Sequence, residues 1–316
     1  MAYTADVKSE LMQNPEQQAC CASAELTALL LLSGSVSLCG LGRYRLVFGS
    51  ENAAVVRYCF TQLKRTFGMA PEIRAVRSSQ RGEHTRYQLQ MEGEEANALL
   101  RALDLLDPGA FLGIRMRPSD ALLGRECCRR AYLRGAFLAC GWISQPEKAY
   151  HFEFAAPDEE QARTLQGLLA LWELNARISP RKSQQIVYVK RSEDVETLLG
   201  VLGASSALLT LENVRIMKSL RNDLNRQMIC DDFNTDKTVR AAAAQMDDIG
   251  VIEKYLGLGK LPDALRQVAE ARLASPDATL TQLGELMDPP LAKSAVNKRI
   301  RRLSALAQSL RDEHGV

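Results

Sequence analysis

The 316-residue chain is 46% hydrophobic and 25% charged, which is typical of folded globular proteins and allows two or three domains. Its net charge of +2 excludes polyanion binding through overall charge, so such a function requires local clusters of basic residues. The longest apolar runs, such as ALLLL at 28–32, are too short to cross a bilayer, and the N-terminus lacks the layout of a signal peptide. We therefore expect a cytoplasmic protein without a membrane partner.

The first two thirds of the chain contain an internal repeat. Residues 20–37 read CCASAELTALLLLSGSVS, and residues 127–144 read CCRRAYLRGAFLACGWIS. One constant offset of 107 residues aligns Cys20 and Cys21 with Cys127 and Cys128, and Gly34 with Gly141. A gapless match of this length indicates a duplication, with copies at about 1–106 and 120–204.

Each copy is predicted to contain the same elements in the same order. A helix ends at the aligned glycine, and a hairpin follows at 35–48 or 142–154, with turns at Cys39–Gly42 and Gln145–Lys148. Next come a helix at about 51–67 or 157–173, a second hairpin at about 71–92 or 176–191, and a closing helix at about 94–106 or 193–202. The predicted order is therefore αββαββα, twice.

The eight cysteines are interpreted as structural. The sequence contains no C-x-x-C pair, and its three histidines lie at no spacing useful for metal ligands. Adjacent cysteines on a helix are expected to point in different directions, which makes them poor joint ligands. We therefore expect reduced thiols packed as small apolar side chains, with no metal and no cofactor.

The glycine-ended helix carries a resemblance to a known family. LRGAFLACG at 133–141 resembles the signature helix of the LAGLIDADG homing endonucleases, and LTALLLLSG at 26–34 is a weaker match. The resemblance implies that the two helices pack side by side above a saddle of β-strands that grips DNA. Gly135, Ala139 and Ala28 are small residues that allow such close packing.

The resemblance also identifies where a nuclease would hold its metal ions. In that family an acidic residue precedes the terminal glycine of each helix, because paired carboxylates bind divalent cations. This chain has Ser33 and Cys140 at those positions, and neither replaces an anionic oxygen ligand for Mg²⁺. We therefore expect a degenerate site, no catalytic residue and no small-molecule substrate.

Two basic segments of this region are candidates for phosphate contact. The segment 176–192 carries Arg177, Arg181, Lys182, Lys190 and Arg191, and the segment 115–134 carries Arg115, Arg117, Arg125, Arg129, Arg130 and Arg134. A solvated strand face, or a surface for a protein partner, explains the same residues equally well. The sequence leaves these alternatives open.

The last third of the chain is predicted to be helical. Apolar residues at helical spacing indicate a long helix over 206–228, which CDDFNTDKT at 230–238 is expected to break. Further helices are expected at 238–257 and at 262–273, the latter opened by Pro262.

The segment 278–307 has the pattern of a helix-turn-helix. Thr279 and Gln282 predict a capping box that opens a short helix, Gly284 allows a close approach, and two prolines stop the helix. A second helix from about Lys293 is then apolar on one side and basic on the other. Between Pro289 and Arg311 the chain has six basic residues and no acidic one, whereas 217–288 has nine basic and twelve acidic residues.

This separation of charge favours a DNA-reading helix over an ordinary basic surface helix in a small bundle. Asn297 suits bidentate pairing with adenine, and Arg301 suits pairing with guanine. The remaining predicted DNA-binding residues, better suited to phosphate contacts or to the start of the helix, are Lys293, Ser294, Lys298, Arg299 and Arg302.

Taken together, the chain resembles the WhiA family of bacterial regulators almost from end to end. The matching segments include YTADVKSEL, CCRRAYLRGAFLACGWISQPEKAYHFEF, LENVRIMKSLRNDLNR and LGELMDPPLAKSAVNKRIRRL. The sequence departs from the family pattern at Ile229, Phe233 and Ala292; the last removes a polar residue where the recognition helix begins. The lost cap is worth about 1 kcal/mol.

The fold expected is α+β: a duplicated LAGLIDADG-like domain at 1–204, a helical linker at 205–257 and an all-α helix-turn-helix domain at 258–316. The resemblance implies a non-catalytic transcriptional regulator that binds double-stranded DNA at the nucleoid. It also implies links to cell division and chromosome segregation, and to sporulation in relatives. The alternatives are a protein-interaction scaffold with incidental DNA affinity and a metal-dependent nuclease.

Overall fold

The structure, a computed structural model, describes residues 2–15, 18–40, 42–78, 84–110 and 113–315. The chain divides into two compact units, residues 1–217 and 218–316, which are described separately. The first unit mixes helices with two small sheets, and the second is helical, so the predicted α+β class is confirmed.

The first unit contains the two repeats in the predicted order. The first repeat comprises α2 (Ala19–Ser33), β1 (Gly34–Leu38), β2 (Tyr44–Ser50), α3 (Ala53–Phe67), β3 (Glu72–Ser78), β4 (His84–Gly93) and α4 (Glu94–Ala102). The second comprises α5 (Glu126–Cys140), β5 (Gly141–Ile143), β6 (Phe152–Ala156), α6 (Glu159–Ala170), β7 (Arg177–Arg181), β8 (Gln184–Val189) and α7 (Ser192–Leu202). A helix α1 (Ala2–Gln13), which was not predicted from the sequence, precedes them.

The two sheets have the same antiparallel topology. Their strand orders are β1-β2-β4-β3 and β5-β6-β8-β7, so each second hairpin joins the first through its last strand. In the second sheet Phe154 pairs with Gly141 and Val187, and these residues face the core. The neighbouring residues of each strand point to the opposite side of the sheet, as the period of two requires.

Helices α2 and α5 pack against each other through small residues. A Cβ atom added at Gly135 would lie 2.3 Å from the carbonyl oxygen of Glu25 and 3.0 Å from Cβ of Ala28. The predicted close approach at Gly135 and Ala28 is therefore confirmed. The two repeats share one apolar core, which this helix pair crosses.

The same helix interface contains a buried ion pair. Nε of Arg134 lies 3.6 Å from Oε1 of Glu25, and the side chains are 6% and 1% exposed. Tyr58 donates a hydrogen bond of 2.9 Å to the same Glu25 oxygen. The Arg134 guanidinium also donates to the backbone carbonyls of Leu11 and Asn14, so it links α5 to the end of α1.

A single helix, α8 (Ser205–Tyr255), replaces the two helices predicted for this segment. The expected break at CDDFNTDKT is wrong, because the segment contains neither proline nor glycine. Its polar residues each cost at most about 0.7 kcal/mol of helix propensity, which weakens a helix without ending it. The boundary between the two units lies within α8.

The second unit is a small helical bundle. It contains the C-terminal part of α8, a 3₁₀ turn at Leu258–Lys260, α9 (Asp263–Ala274), α10 (Leu280–Glu285) and α11 (Lys293–His314). Ile249 and Ile252 of α8 share a core with Val268, Leu283 and the apolar side of α11. The helix predicted after Pro262 is confirmed, with Pro262 directly before its first residue.

Candidate nucleic-acid interface

Helix α10 begins and ends where the sequence predicts. The Thr279 hydroxyl accepts a hydrogen bond from the Gln282 N–H, and the Gln282 side chain accepts one from the Thr279 N–H at 2.8 Å, which is the predicted capping box. After Glu285 the chain turns, and the Leu291 N–H donates 2.9 Å to the Gly284 carbonyl. A Cβ atom at Gly284 would lie 2.1 Å from the Leu291 oxygen, so glycine is required for this tight turn.

Helix α11 has one apolar side and one basic side. Val296, Ile300, Leu303, Ala307 and Leu310 are buried against α8, α9 and α10. The opposite side exposes Lys293, Ser294, Lys298, Arg301 and Arg302. We call these five exposed residues, together with half-buried Asn297 and Arg299, the basic face of α11.

Two residues of the basic face are less accessible than the sequence suggests. Asn297 is half-buried, one turn before Arg301. Arg299 is also half-buried, and its guanidinium donates 3.3 Å to the backbone carbonyl of Ala264 in α9. Contact between Arg299 and a phosphate would therefore replace or share this hydrogen bond.

The N-cap residue of α11, Ala292, does not cap the helix with its side chain. Ala292 has the extended backbone of an N-cap residue but no side-chain atom that accepts from the first turn, as predicted from the sequence. The backbone N–H groups of Lys293 and Ser294 therefore have no side-chain cap, whereas the Ala295 N–H donates 2.9 Å to the Ala292 carbonyl. The two uncapped groups are suited to donating to a phosphate oxygen.

The basic residues of the second sheet differ in availability. Arg177, Lys182, Lys190 and Arg191 are exposed. Arg181 instead forms a bidentate pair with Glu153 of β6, with N–O distances of 2.8 and 3.0 Å, and Glu153 also contacts Nε2 of His151 at 2.9 Å. The sequence segment contains no acid, but the neighbouring strand supplies one, which a one-dimensional count cannot detect.

An aromatic row on the same sheet face was not predicted. The Trp142 ring lies 5.7 Å from the His151 ring, which stacks on Tyr188 at 5.7 Å. Lys190 lies over the Tyr188 ring at 4.9 Å. Strand register was the available signal: Trp142, Glu153, Tyr188 and Arg177 occupy successive paired positions across the sheet.

The basic segment 115–134 mostly serves the fold. Arg134 is buried in its ion pair, so this candidate is not available for contact with phosphate. Arg130 donates to the carbonyls of Val201 and Gly200 at the end of α7, both at 3.0 Å. Arg129 donates to Leu123 and Gly124, and Arg115 pairs with Asp107.

The former metal positions do not fit a divalent cation. Ser33 and Cys140 are the last residues of α2 and α5, and each donates to a carbonyl of its own helix, at Leu29 and Ala136. Burial raises the pKa of the Cys140 thiol to about 12, which keeps it protonated near neutral pH. The Lys8 ammonium of α1 also donates 3.1 Å to the Leu138 carbonyl, so it places a cation near Cys140. This arrangement lacks the anionic oxygens that magnesium requires.

Comparison with known proteins decides the family. Three family models match in succession: the WhiA N-terminal LAGLIDADG-like domain at 19–106, the WhiA LAGLIDADG-like domain at 129–221 and the WhiA C-terminal HTH domain at 224–307. The probable cell division protein WhiA of Heliobacterium modesticaldum is 39% identical over 317 residues, which cover 100% of this chain and 99% of that protein. The chain belongs to the WhiA family.

Other WhiA proteins give the same result. The probable cell division protein WhiA of Desulforamulus reducens is 40% identical over 312 residues, covering 98% of this chain and 97% of that protein. The crystal structure of full-length DUF199/WhiA from Thermatoga maritima is similar with a TM-score of 0.59 at 22% sequence identity. The matched region covers 96% of this chain and 97% of the Thermatoga maritima chain, which confirms the WhiA fold.

The WhiA C-terminal HTH model matches residues from the middle of α8 into α11. The matched range ends at Ala307, so it includes all seven residues of the basic face. Within the described residues, no helix has both the length and the apolarity that spanning a membrane requires.

Proposed function

We propose that this protein is a non-catalytic, DNA-binding transcriptional regulator that acts in cell division and chromosome segregation. The observation that carries the proposal is the basic face of α11: five of its seven residues are exposed, while the other side of the helix packs in the core of the second unit. The helix-turn-helix family model supports DNA as the partner. The names of the relatives, probable cell division proteins, support the process.

Different residues of the basic face serve different purposes in this proposal. Asn297 and Arg301, one turn apart, read base edges in the major groove. Lys293, Lys298, Arg299 and Arg302 neutralise phosphates, while Ser294 and the uncapped first turn of α11 donate to a phosphate oxygen. The exposed sheet cations Arg177, Lys182, Lys190 and Arg191 widen the footprint on DNA, with Arg181 available if it leaves Glu153.

The absence of catalysis in the proposal rests on Ser33 and Cys140. Neither supplies the carboxylate that a metal-dependent cleavage would need at the ends of α2 and α5. Plasmid incubated with the protein and Mg²⁺ or Mn²⁺ is expected to remain intact during long incubation and with a molar excess of protein. Cleavage that grows with protein concentration, and that mutation of this helix pair abolishes, would overturn this part.

Genome-wide occupancy tests the regulatory role. The Asn297→Ala, Arg301→Ala double variant is expected to lose discrete binding sites and keep diffuse association, because phosphate contacts remain. Loss of the sites should change transcription of the adjacent genes. Identical site maps for wild type and variant would contradict base reading by α11. The exposed Lys260→Ala variant, in the same unit, serves as the matched control.

A second candidate function is a protein-interaction scaffold with incidental DNA affinity. Large apolar side chains in the middle of α8 are exposed, with Leu224, Met228, Ile229 and Phe233 between 59% and 66% accessible. Exposed apolar residues at this density favour contact with protein. Binding that ignores DNA sequence, combined with unchanged occupancy in the double variant, would favour this alternative.

A further inference from the structure

Four cysteine thiols of the first unit lie together. Cys20 and Cys21 are in the first turn of α2, and Cys127 and Cys128 are in the first turn of α5. All four Sγ atoms lie within 4.8 Å of one another, and the two adjacent pairs are each separated by 3.9 Å. The expectation that adjacent cysteines point apart is wrong here, because side-chain rotamers bring both sulfurs of each pair to the helix interface.

These distances match a single tetrahedral ion. Four thiolates bound to one zinc ion at about 2.3 Å stand about 3.8 Å apart. The observed spacing needs shifts of less than about 1 Å to reach this arrangement, which side-chain rotation provides. An iron–sulfur cluster does not fit as well, because its four thiolates are divided between two or four irons and cannot all stand as close together as around a single ion.

The electrostatic surroundings favour an anionic metal centre. One divalent ion with four thiolates has a net charge of −2, and the N-termini of two 15-residue helices meet at it. Each N-terminus carries about half a positive charge. Neither N-cap residue, Gln18 or Arg125, caps the backbone N–H groups of its helix with its side chain, so N–H groups of both first turns are available to the sulfurs. The Gln18 side-chain oxygen instead accepts from the Cys20 and Cys21 thiols, both at 3.8 Å. Arg125 directly precedes α5, and its guanidinium adds a positive charge that acts on the Cys20 thiol.

The burial of the four thiols suits a structural site that an ion can reach. Cys21 and Cys128 are buried, at 1% and 3% exposure, and Cys20 and Cys127 are partly exposed. A metal ion can therefore approach from the side of Cys20 and Cys127. The two buried sulfurs then complete a coordination shell that excludes water.

We infer that Cys20, Cys21, Cys127 and Cys128 form a tetrathiolate site for one soft divalent cation, of which zinc is the chemical fit. Binding releases the thiol protons to solvent and forms four metal–sulfur bonds, with no change of oxidation state. The site joins the two repeats at the N-terminal ends of α2 and α5. It lies about 20 Å along the helices from Ser33 and Cys140, so it is distinct from the former nuclease positions. This inference is independent of DNA binding.

Metal analysis of the full-length protein tests the site. Protein purified with zinc in the medium is expected to contain about one zinc per chain, as for structural tetrathiolate sites. Replacing zinc with cobalt should give visible absorption of a tetrahedral ion together with thiolate-to-cobalt charge transfer in the near ultraviolet. Modifying the thiols with a mercurial should release this zinc, about one ion per chain, to a chromophoric chelator.

Variants assign the ligands. Cys20→Ser and Cys127→Ser each remove one of the two partly exposed ligands. Each is expected to weaken zinc binding more than the loss of an outer-shell hydrogen-bond partner does, which is about 10–100-fold. The matched controls, Cys39→Ser and Cys230→Ser, change exposed cysteines elsewhere and should retain full zinc. Far-ultraviolet circular dichroism of each variant shows whether the fold persists, and the metal titration of the wild type does not depend on any variant folding.

Several outcomes would overturn the inference. The first is that the purified wild type neither retains zinc nor binds added Zn²⁺ or Co²⁺ with micromolar or tighter affinity. The second is that the Cys20→Ser and Cys127→Ser variants contain as much zinc as the control variants. Disulfides among these four cysteines in protein purified without reductant, seen by mass spectrometry, would also contradict it, as would stoichiometric iron in their place. DNA binding is measured separately, and its loss or retention does not bear on these results.

Discussion

At the scale of single residues, the buried ion pair between Glu25 and Arg134 joins the two repeats electrostatically. Both groups are buried, and Arg134 also donates to carbonyls that follow α1 and lie within it. A buried charge without its partner is strongly unfavourable. The pair therefore makes the helix interface intolerant of a change on one side alone.

Glu25→Gln is expected to lower the free energy of unfolding by about 3–5 kcal/mol, because it leaves Arg134 buried without its counter-charge. Urea denaturation followed by circular dichroism measures this loss. Glu159→Gln is the matched control: it breaks an exposed pair with Arg163, one helical turn away, and should change stability by no more than about 1 kcal/mol. Equal effects of the two variants would show that the Glu25 pair contributes no more than a surface one.

The pH dependence of the second sheet is set by Glu153. Burial raises the pKa of this carboxyl, but the hydrogen bonds and charges of Arg181 and His151 outweigh burial and lower its pKa below the ordinary 4.5. A group whose pKa is lowered on folding stabilises the fold above its ordinary pKa, and this contribution is lost as the pH falls through the lowered value.

Wild type is therefore expected to exceed Glu153→Gln in stability by a margin that is full near pH 7 and shrinks steadily below about pH 4.5. Urea titrations at a series of pH values measure the margin. Glu160→Gln, an exposed change on the neighbouring helix, should give a nearly constant difference. A margin that grows on acidification would contradict the assigned direction.

At the scale of elements, the sequence predicted most of the fold because its signals were local and repeated. A constant offset of 107 residues, glycines at the ends of two helices and alternating strands specified the αββαββα repeat. The break within α8 was predicted wrongly because polar residues were taken for a stop, although only a proline or a capping geometry ends a helix reliably. Helix α1 was missed, since its contacts, such as Thr4 with Ile143 and Tyr3 with Ala207, are far apart in sequence.

The close approach of α2 and α5 leads to a prediction at Gly135. Gly135→Ala would place a methyl group 2.3 Å from the Glu25 carbonyl oxygen, and we expect a loss of about 1–3 kcal/mol from overpacking. Gly167→Ala on α6 is the matched control, because its Cβ meets no atom within 4 Å. It should stabilise the helix by about 0.5–1 kcal/mol. Thermal unfolding of both variants measures the contrast, and a neutral Gly135→Ala would refute tight packing there.

The uncapped start of α11 leads to a prediction in the opposite direction. Ala292→Ser provides an oxygen for the N–H groups of the first turn and is expected to raise the unfolding free energy of the second unit by about 0.5–2 kcal/mol. Ala305→Ser is the matched change at an exposed position within α11. It should instead lower the unfolding free energy by at most about 0.5 kcal/mol, because serine has a lower helix propensity than alanine. Chemical denaturation followed at a probe in this unit distinguishes the two. No gain at position 292 would mean that the N–H groups are already satisfied.

At the scale of the whole molecule, the chain combines a duplicated LAGLIDADG-like fold with a helix-turn-helix unit. The positions of Ser33 and Cys140 could be read from sequence, because the family motif fixes them relative to a glycine. The pairing of Arg181 with Glu153, the contact from Arg299 to Ala264 and the four-thiol cluster could not, since each joins residues from different elements. Sequence patterns identify which residues are basic; only the fold shows which of them are available.

Binding of the purified protein to duplex DNA across a range of salt concentrations tests the central claim most directly. With a duplex recovered from occupied genomic sites, Arg301→Ala is expected to lose about 1–3 kcal/mol on that duplex and little on random DNA. Lys298→Ala should weaken binding to both and reduce the slope of log K against log salt by about 1, because it removes one phosphate contact. Lys260→Ala should leave both quantities unchanged. Equal affinities of all three variants and wild type, on both duplexes and at every salt concentration, would contradict the assignment of the basic face of α11 to DNA.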